Sequence, residues 1–543
     1  MLVTGGPIYA EHGRAPIQAM LIREGQVAAI GTLSRLQRLL GPATPRLDLS
    51  GSVVLPAFID PHQHAYLVAR DPSTDSLLGY DQDIAGLLER LHLLIRSDRL
   101  PGLWRRFHGY RPLHLRQLRS PTAAELDSVC QDRPLHIISR TFHESAVNSA
   151  GLEALGIGPG TPDPAGGRIV RDRRGRATGI LLEAASFDAE HASRGPATNS
   201  DWGQRLTRHG RVLASLGITR IGDAAVPVAD AAAFVSILRG VGIAARPLLV
   251  GDRIDRPALV TGQTAKVLVD GGEYCHLCFT GRQVAAVSAG GMRAAFGSDR
   301  RLATAVGQRT GFPRRGADQM WHTGLTFPAG TDLASVLRQA AETDSSLAVH
   351  AVGNGAVGRL LTVLADGRGP GSEVPVRVEH AMVLDPGLVG ELGGRGASVV
   401  VQPGFLSATG FELTRNPVPA PLRIFPLRSL LNAGAQVSLS SDYPAADLNP
   451  WSTIRDAVLR QDCAGTPIHP GEGLTVAEAL RSHTITAAHA LGADDAGELT
   501  AGKRADFIVV DQDPYAIDPV AFDRIRIEAT YSGGRQIHPP VVD

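Results

Sequence analysis

The sequence predicts an α/β chain: a (β/α)8 TIM barrel with a small β-sandwich domain built from the N- and C-terminal segments. Three observations carry this. Short apolar runs alternate with helical patterns through the middle of the chain, which implies a parallel sheet. Eight such runs can be read, the number that closes a barrel. The two ends are β-rich while the middle is not, so the economical arrangement pairs them with each other.

In chain order, residues 19–23 and 26–31 flank the turn signal Glu24-Gly25 as a hairpin, and residues 47–54 add a strand and a turn. Residues 505–511 and 524–537, with a turn at Gly533-Gly534, repeat that style. Residues 1–57 and 491–543 are therefore assigned to the β-sandwich and 58–490 to the barrel. The eight barrel strands are read in the stretches 55–64, 135–140, 218–223, 265–270, 346–350, 376–380, 397–402 and 436–442. Helical patterns lie between several of them, such as 332–341 with Thr331 or Asp332 as its cap. Two connections exceed a usual βα loop, about 65–134 and about 271–325. Both would rise from strand C-termini, where a barrel carries its active site, and are read as covering it.

Composition excludes some classes. Lys+Arg and Asp+Glu both total 54, so no global field draws the chain to nucleic acid or an anionic membrane. No window of 18 residues is apolar and uncharged, and no spanning helix is expected. The four cysteines (Cys130, Cys275, Cys278 and Cys463) are too few for a disulfide scaffold and suit a reducing compartment. The first residues, Met-Leu-Val-Thr-Gly-Gly-Pro, lack the basic and apolar regions of a secretory signal, and a cytoplasmic location is expected.

The chemistry gathers at predicted strand ends. His62 and His64 close the first strand; i and i+2 side chains point to one side, so both imidazoles can face one point. Neutral imidazole suits zinc, nickel and iron. Lys266, His350, His380 and Asp442 each close or nearly close a later strand. Any one alone is more often a hydrogen-bonded core residue, an interior ion pair or a helix cap. A barrel brings all its strand ends into one ring, and six such residues in a ring are hard to ascribe to chance.

The chain resembles the amidohydrolase superfamily, in its subgroup of YtcJ-like proteins that includes N-substituted formamide deformylases. The resemblance runs nearly end to end. It rests on Pro61-His62-Gln63-His64, Val147-Asn148-Ser149-Ala150, residues 160–167, Val349-His350-Ala351-Val352-Gly353, Val378-Glu379-His380-Ala381, Gln402-Pro403, Ser441-Asp442 and residues 502–506. It implies one or two zinc ions: His62, His64 and Asp442 on the more buried metal, His350 and His380 on the second. It also implies that Lys266 bridges them once carboxylated; an unmodified lysine is a cation and would repel zinc. Zinc would lower the pKa of bound water to about 7, giving hydroxide at neutral pH. Asp442 would pass that water's proton to a leaving nitrogen. His143 resembles a substrate-pocket histidine and is a candidate oxyanion contact. The expected activity is hydrolysis of a non-peptide C–N bond in a small amide, N-formyl or N-acyl amine, or cyclic amide. Barrel enzymes of this kind often dimerise, and a homodimer is possible here.

The sequence departs from the family pattern at Ala57, at Gly353-Asn354-Gly355, across residues 273–278 and at Tyr443. Cys275 and Cys278 form a Cys-x-x-Cys around His276, the spacing of a metal or redox motif. Two other readings stand beside the hydrolase. Residues 353–358 spell Gly-x-Gly-x-x-Gly after a strand, with Glu379 about 20 residues on, as an NAD-dependent oxidoreductase would require. A metal-free binding or regulatory protein on the same scaffold is the other.

Overall fold

A computed structural model describes the chain except residues 42–43, 75, 80–81, 98–102, 195–198, 273–274, 287–312, 367–373, 416–417 and 540–543. Much of the expected second covering segment, at 287–312, and Glu273-Tyr274 of the unusual stretch thus lie outside the described residues.

The centre is an eight-stranded parallel sheet, here β1 (Phe58–Gln63), β2 (Ile218–Pro227), β3 (Ala244–Val250), β4 (Thr264–Leu268), β5 (Ser346–Ala351), β6 (Val376–His380), β7 (Ser398–Val401) and β8 (Gln436–Leu439). Sequence order is spatial order, with a parallel ladder between each consecutive pair. The strands are buried along nearly their whole length, because helices cover the outside and side chains fill the inside. Helix Leu333–Glu342 shows the matching pattern, burying Leu333, Leu337 and Ala340 on one face. Its N-cap is Asp332, whose side chain makes no capping hydrogen bond.

The sheet curls until its first and last strands meet. At this seam Asp442 N donates to His62 O at 2.8 Å and His64 N to Tyr443 O at 2.9 Å. Buried Asp60 on β1 bridges the same seam. It accepts from Ser441 N at 3.1 Å, Ser441 Oγ at 2.6 Å, Gln63 Nε2 at 3.2 Å and His62 N at 3.4 Å. On the other side of β1, Gly222 of β2 passes so close that an added Cβ would lie 2.2 Å from Pro61 O.

One expected barrel strand is corrected. Leu135–Ser139 lies in a separate five-stranded sheet with Arg105–Tyr110, Glu144–Val147, Gly167–Arg171 and Ala177–Glu183. The barrel strand the sequence reading passed over is β3, Ala-Ala-Arg-Pro-Leu-Leu-Val. Pro247 reads as a break, since proline donates no ladder hydrogen bond. The register to β2 shifts just beyond it, between Asp223 and Val226. The first excursion from the barrel therefore runs on to residue 217 and has its own apolar core, including Leu87, Phe107, Leu126 and Ile137.

The chain ends form two small sheets. Val53–Pro56 pairs antiparallel with Phe507–Val510, which continues to Ile527–Ser532 and Arg535–His538. Leu2–Thr4, Ala19–Arg23, Gln26–Gly31 and Arg46–Asp48 make the other. Val3, Met20, Ile22 and Val27 from one end share a core with Phe507, Val509 and Tyr531 from the other. After β4, Leu277–Phe279, Arg314–Arg315 and Trp321–Thr323 form a three-stranded sheet of their own.

The seam makes a prediction. Asp60→Ala orphans buried donors at about 1–3 kcal/mol each, whereas Asp60→Asn keeps a carbonyl oxygen for Ser441 N. Denaturant unfolding should show a large stability loss for the alanine variant and a small one for asparagine.

Candidate active site

The C-terminal ends of the barrel strands bring the six predicted residues around one cavity. His62 and His64 leave β1 on the same side, and their Nε2 atoms lie 3.4 and 3.1 Å from Asp442 Oδ1. One ligand-type atom from each of these three residues falls within 4.8 Å of the others. The His350 ring at the end of β5 stands 4.5 Å from the His380 ring at the end of β6, and His380 stands 5.0 Å from His62. Lys266 on β4 is buried and reaches the same cavity. On β2, Asp223 accepts from Tyr66 N at 2.7 Å and so pins the chain just past His64.

Several site residues adopt left-handed backbone: Asp442 at φ 52°, His380 at φ 74°, Phe142 at φ 67° and Glu183 at φ 53°. Such conformations cost about 1–3 kcal/mol each outside glycine and persist where the surrounding structure over-determines them. His380 ends β6 and Asp442 follows β8, whereas Phe142 and Glu183 belong to the inserted sheet and its turns.

A layer of buried polar groups orients the ring. His62 Nδ1 donates to the fully buried Glu379 carboxylate. Glu379 in turn accepts from Arg377 Nε at 2.5 Å, and Arg377 Nη2 reaches across to Pro61 O at 2.9 Å. His380 Nδ1 donates to Gln402 Oε1 at 2.7 Å, and Gln402 Nε2 donates to Ser440 Oγ at 3.0 Å. With both Nδ1 atoms occupied, each ring presents Nε2 to the cavity, the arrangement typical of metal-ligating imidazoles.

Protonation suits the same use. Burial, and then the Lys266 charge, push the His62 imidazole down to about 4. Burial and neighbouring His62 take His380 to about 3, and burial drives His350 well below its ordinary range. These rings are neutral at neutral pH, the form that binds metal. Burial raises the Asp442 carboxyl, but the His62 and His64 imidazoles more than offset this and hold it below the usual carboxylate range. His350 Nε2 and Asp442 Oδ1 are buried without a hydrogen-bond partner. Neutral imidazoles, an ionised carboxylate and orphaned ligand atoms together fit a zinc-type divalent ion.

The cavity above this ring has a volume of about 280 Å³ and is mainly apolar, with Leu113, Phe142, Phe187, Met382, Phe405 and Ile424 in its wall. His143 also lines it, from the inserted sheet rather than from a barrel strand. Its ring lies 5.6 Å from His350, and its Nδ1 lies 2.5 Å from Glu183 Oε2 and 3.2 Å from Gly272 N.

Glu379, Gln402, Glu183 and Asp60 were not assigned these roles from sequence. Arg377 and Glu379 did leave a signal, two charges at i and i+2 inside the apolar strand Val-Arg-Val-Glu-His. Their partners are too distant in the chain for spacing to reveal. The glycine motif at 353–358 has a packing explanation. A Cβ at Gly353 would lie 2.0 Å from His276 O, and one at Gly355 would lie 2.9 Å from the His276 ring. Glu379, which the dinucleotide reading needs for a ribose, is committed to His62 and Arg377. The Cys-x-x-Cys residues part company: Cys275 lines the cavity, and Cys278 stands beside Asp318 and His322. No helix among the described residues is long and apolar enough to cross a membrane.

Comparison with known proteins agrees with this geometry. The model of the amidohydrolase family matches residues 47–538. The chain is 31% identical to N-substituted formamide deformylase of Arthrobacter pascens, over 95% of this chain and 94% of that protein. It is 26% identical to putative amidohydrolase YtcJ of Bacillus subtilis (strain 168), over 98% of both. A crystal structure of an uncharacterized metal-dependent hydrolase from Pyrococcus horikoshii OT3 shares the fold, with a TM-score of 0.67 at 20% identity across 96% of this chain and 99% of that one. The chain belongs to the amidohydrolase family, as a hydrolase of carbon–nitrogen bonds.

Proposed function

We propose that this chain is a zinc-dependent amidohydrolase that cleaves N-substituted formamides or closely related N-acyl amines with an apolar substituent on nitrogen. The observation that carries the reading is the convergence of His62, His64 and Asp442 beneath an apolar cavity. The name of the Arthrobacter relative supports the substrate class.

His62, His64 and Asp442 would hold one ion, and His350 and His380 would hold a second or complete the first. When bound, zinc supplies a Lewis acid for the carbonyl oxygen and lowers the pKa of water. Lys266 would bridge as a carbamate. Burial pushes its ammonium down to about 8, so about a tenth is neutral amine at pH 7. The neutral amine can attack carbon dioxide, forming an N–C bond and releasing a proton, which turns an unwelcome cation into an anionic ligand.

The remaining steps belong to the chain. Asp442 takes a proton from the attacking water and returns it to the nitrogen as the C–N bond breaks, leaving carboxylate and amine. The Glu183 carboxylate and the Gly272 N–H hold the Nδ1 side of the His143 ring, so Nε2 faces the substrate and, when it carries a proton, donates to the carbonyl oxygen. The apolar wall takes the nitrogen substituent and excludes water.

Elemental analysis should find zinc in the protein, with one or two equivalents per chain that depend on the barrel ring. Chelation should abolish hydrolysis and added zinc restore it. Asp442→Asn should lower kcat by about 10²–10⁴-fold, and His62→Ala should lose metal. Stoichiometric metal with no release of amine from any N-formyl or N-acyl amine would overturn the substrate assignment. Failure to bind metal at all would leave only a binding role for the scaffold.

Two further outcomes follow from the surroundings of the ring. Glu379→Gln should weaken metal affinity by about 10–100-fold, read by competition with a chromogenic chelator. Along a series of N-alkyl formamides, each added methylene that fits the cavity should raise kcat/KM about fourfold, the equivalent of about 0.8 kcal/mol of burial. A flat series would exclude the apolar wall as the substituent pocket.

A further inference from the structure

We propose a second metal site, formed by Cys278, His322 and Asp318 on the small three-stranded sheet after β4 and taking a zinc-class divalent ion. None of these residues belongs to the ring at the barrel mouth.

The backbone builds the site. Cys278 and His322 are direct cross-strand partners in the antiparallel ladder of Leu277–Phe279 with Trp321–Thr323. Opposed residues on one face of such a pair bring their Cβ atoms to about 4.5–5.5 Å. Asp318 sits in the turn joining Arg314–Arg315 to Trp321–Thr323, and its Oδ1 accepts from Met320 N at 3.0 Å. Both its carboxylate oxygens lie 3.0 Å from His322 Nε2. One ligand-type atom from each of the three residues lies within 4.8 Å of the others.

A fourth residue orients the histidine. His276 Nε2 is 2.9 Å from His322 Nδ1, which leaves Nε2 of His322 directed to the Asp318 side. His276 is wedged against Gly355 and anchored through its backbone N–H to Asp270 Oδ2 at 2.8 Å. Its own Nδ1 is buried without a partner. A fixed imidazole behind a ligating imidazole is how outer partners hold metal-bound histidines in place.

The donor set selects the ion. A thiolate with imidazole and carboxylate favours zinc-type ions over magnesium or calcium, which prefer oxygen alone. Without a cation the thiol is poorly placed. Burial, and then Asp318 and Asp385, push Cys278 up to about 11, whereas a bound divalent ion would favour the thiolate. Asp318 is half exposed, so solvent can supply a fourth ligand. The ion would tie two strands and a turn together. Leu277, the neighbour of Cys278 on the opposite face of its strand, lines the substrate cavity, so the brace would stiffen a cavity wall.

The test uses the full-length protein loaded with cobalt(II). The wild type should show a near-ultraviolet thiolate-to-cobalt charge-transfer band, because this site contributes a sulfur ligand and the barrel ring contributes none. Cys278→Ser should abolish the band, Cys275→Ser should retain it, and both Cys278→Ser and His322→Ala should bind one zinc fewer per chain than wild type. No band in the wild type at saturating cobalt, or a band that survives in Cys278→Ser, overturns the site, as does unchanged zinc content in both variants. The band reports this site whether or not the barrel ring binds metal, so the two assignments stand or fall separately.

Discussion

The closure of the sheet between its first and last strands is the constraint on which the site depends. His62 and His64 lie near the start of the chain and Asp442 near its end, and they meet only because β1 and β8 are neighbours. The Asp60 carboxylate holds that junction through both the backbone and the side chain of Ser441. It does so from inside the protein, where burial raises it to about 7 despite the donors around it. The seam and the chemistry share residues, for Asp60 is two positions from His62 and Ser441 adjoins Asp442.

Behind the ring, the barrel interior is polar where an ordinary barrel is filled by branched aliphatics. Arg377, Glu379 and Gln402 are buried there and tied to the rear nitrogens of His62 and His380. Breaking a buried ion pair by removing one partner costs about 3–5 kcal/mol, while a well-packed apolar replacement is often neutral. Stability alone is thus a weak reason for such a cluster. Its use lies in orientation, with each imidazole held by its far side and its near nitrogen aimed at the cavity.

The barrel strand ends supply the ring, and the excursions supply part of the cavity wall above it. His143, Phe142 and the strained turn at Glu183 come from the sheet inserted between β1 and β2, whereas Leu277 comes from the small sheet after β4. Substitutions in the excursions can alter the apolar wall while leaving the ring intact.

The fold class was legible in the sequence, and so were the six strand-end residues that the fold gathers around one cavity. Parallel strands buried on both faces read as apolar runs, and a charged or imidazole side chain at the end of such a run stands out. Periodicity does not say which apolar run joins which sheet: it makes Leu135–Ser139 look like a barrel strand, and Pro247 hides β3. Nor could it show Glu379 behind His62, Glu183 behind His143, or Cys278 beside His322, since these contacts span 317, 40 and 44 positions. Local pattern records which face a residue occupies. Only closure of the barrel and docking of the inserted sheets decide what that face meets.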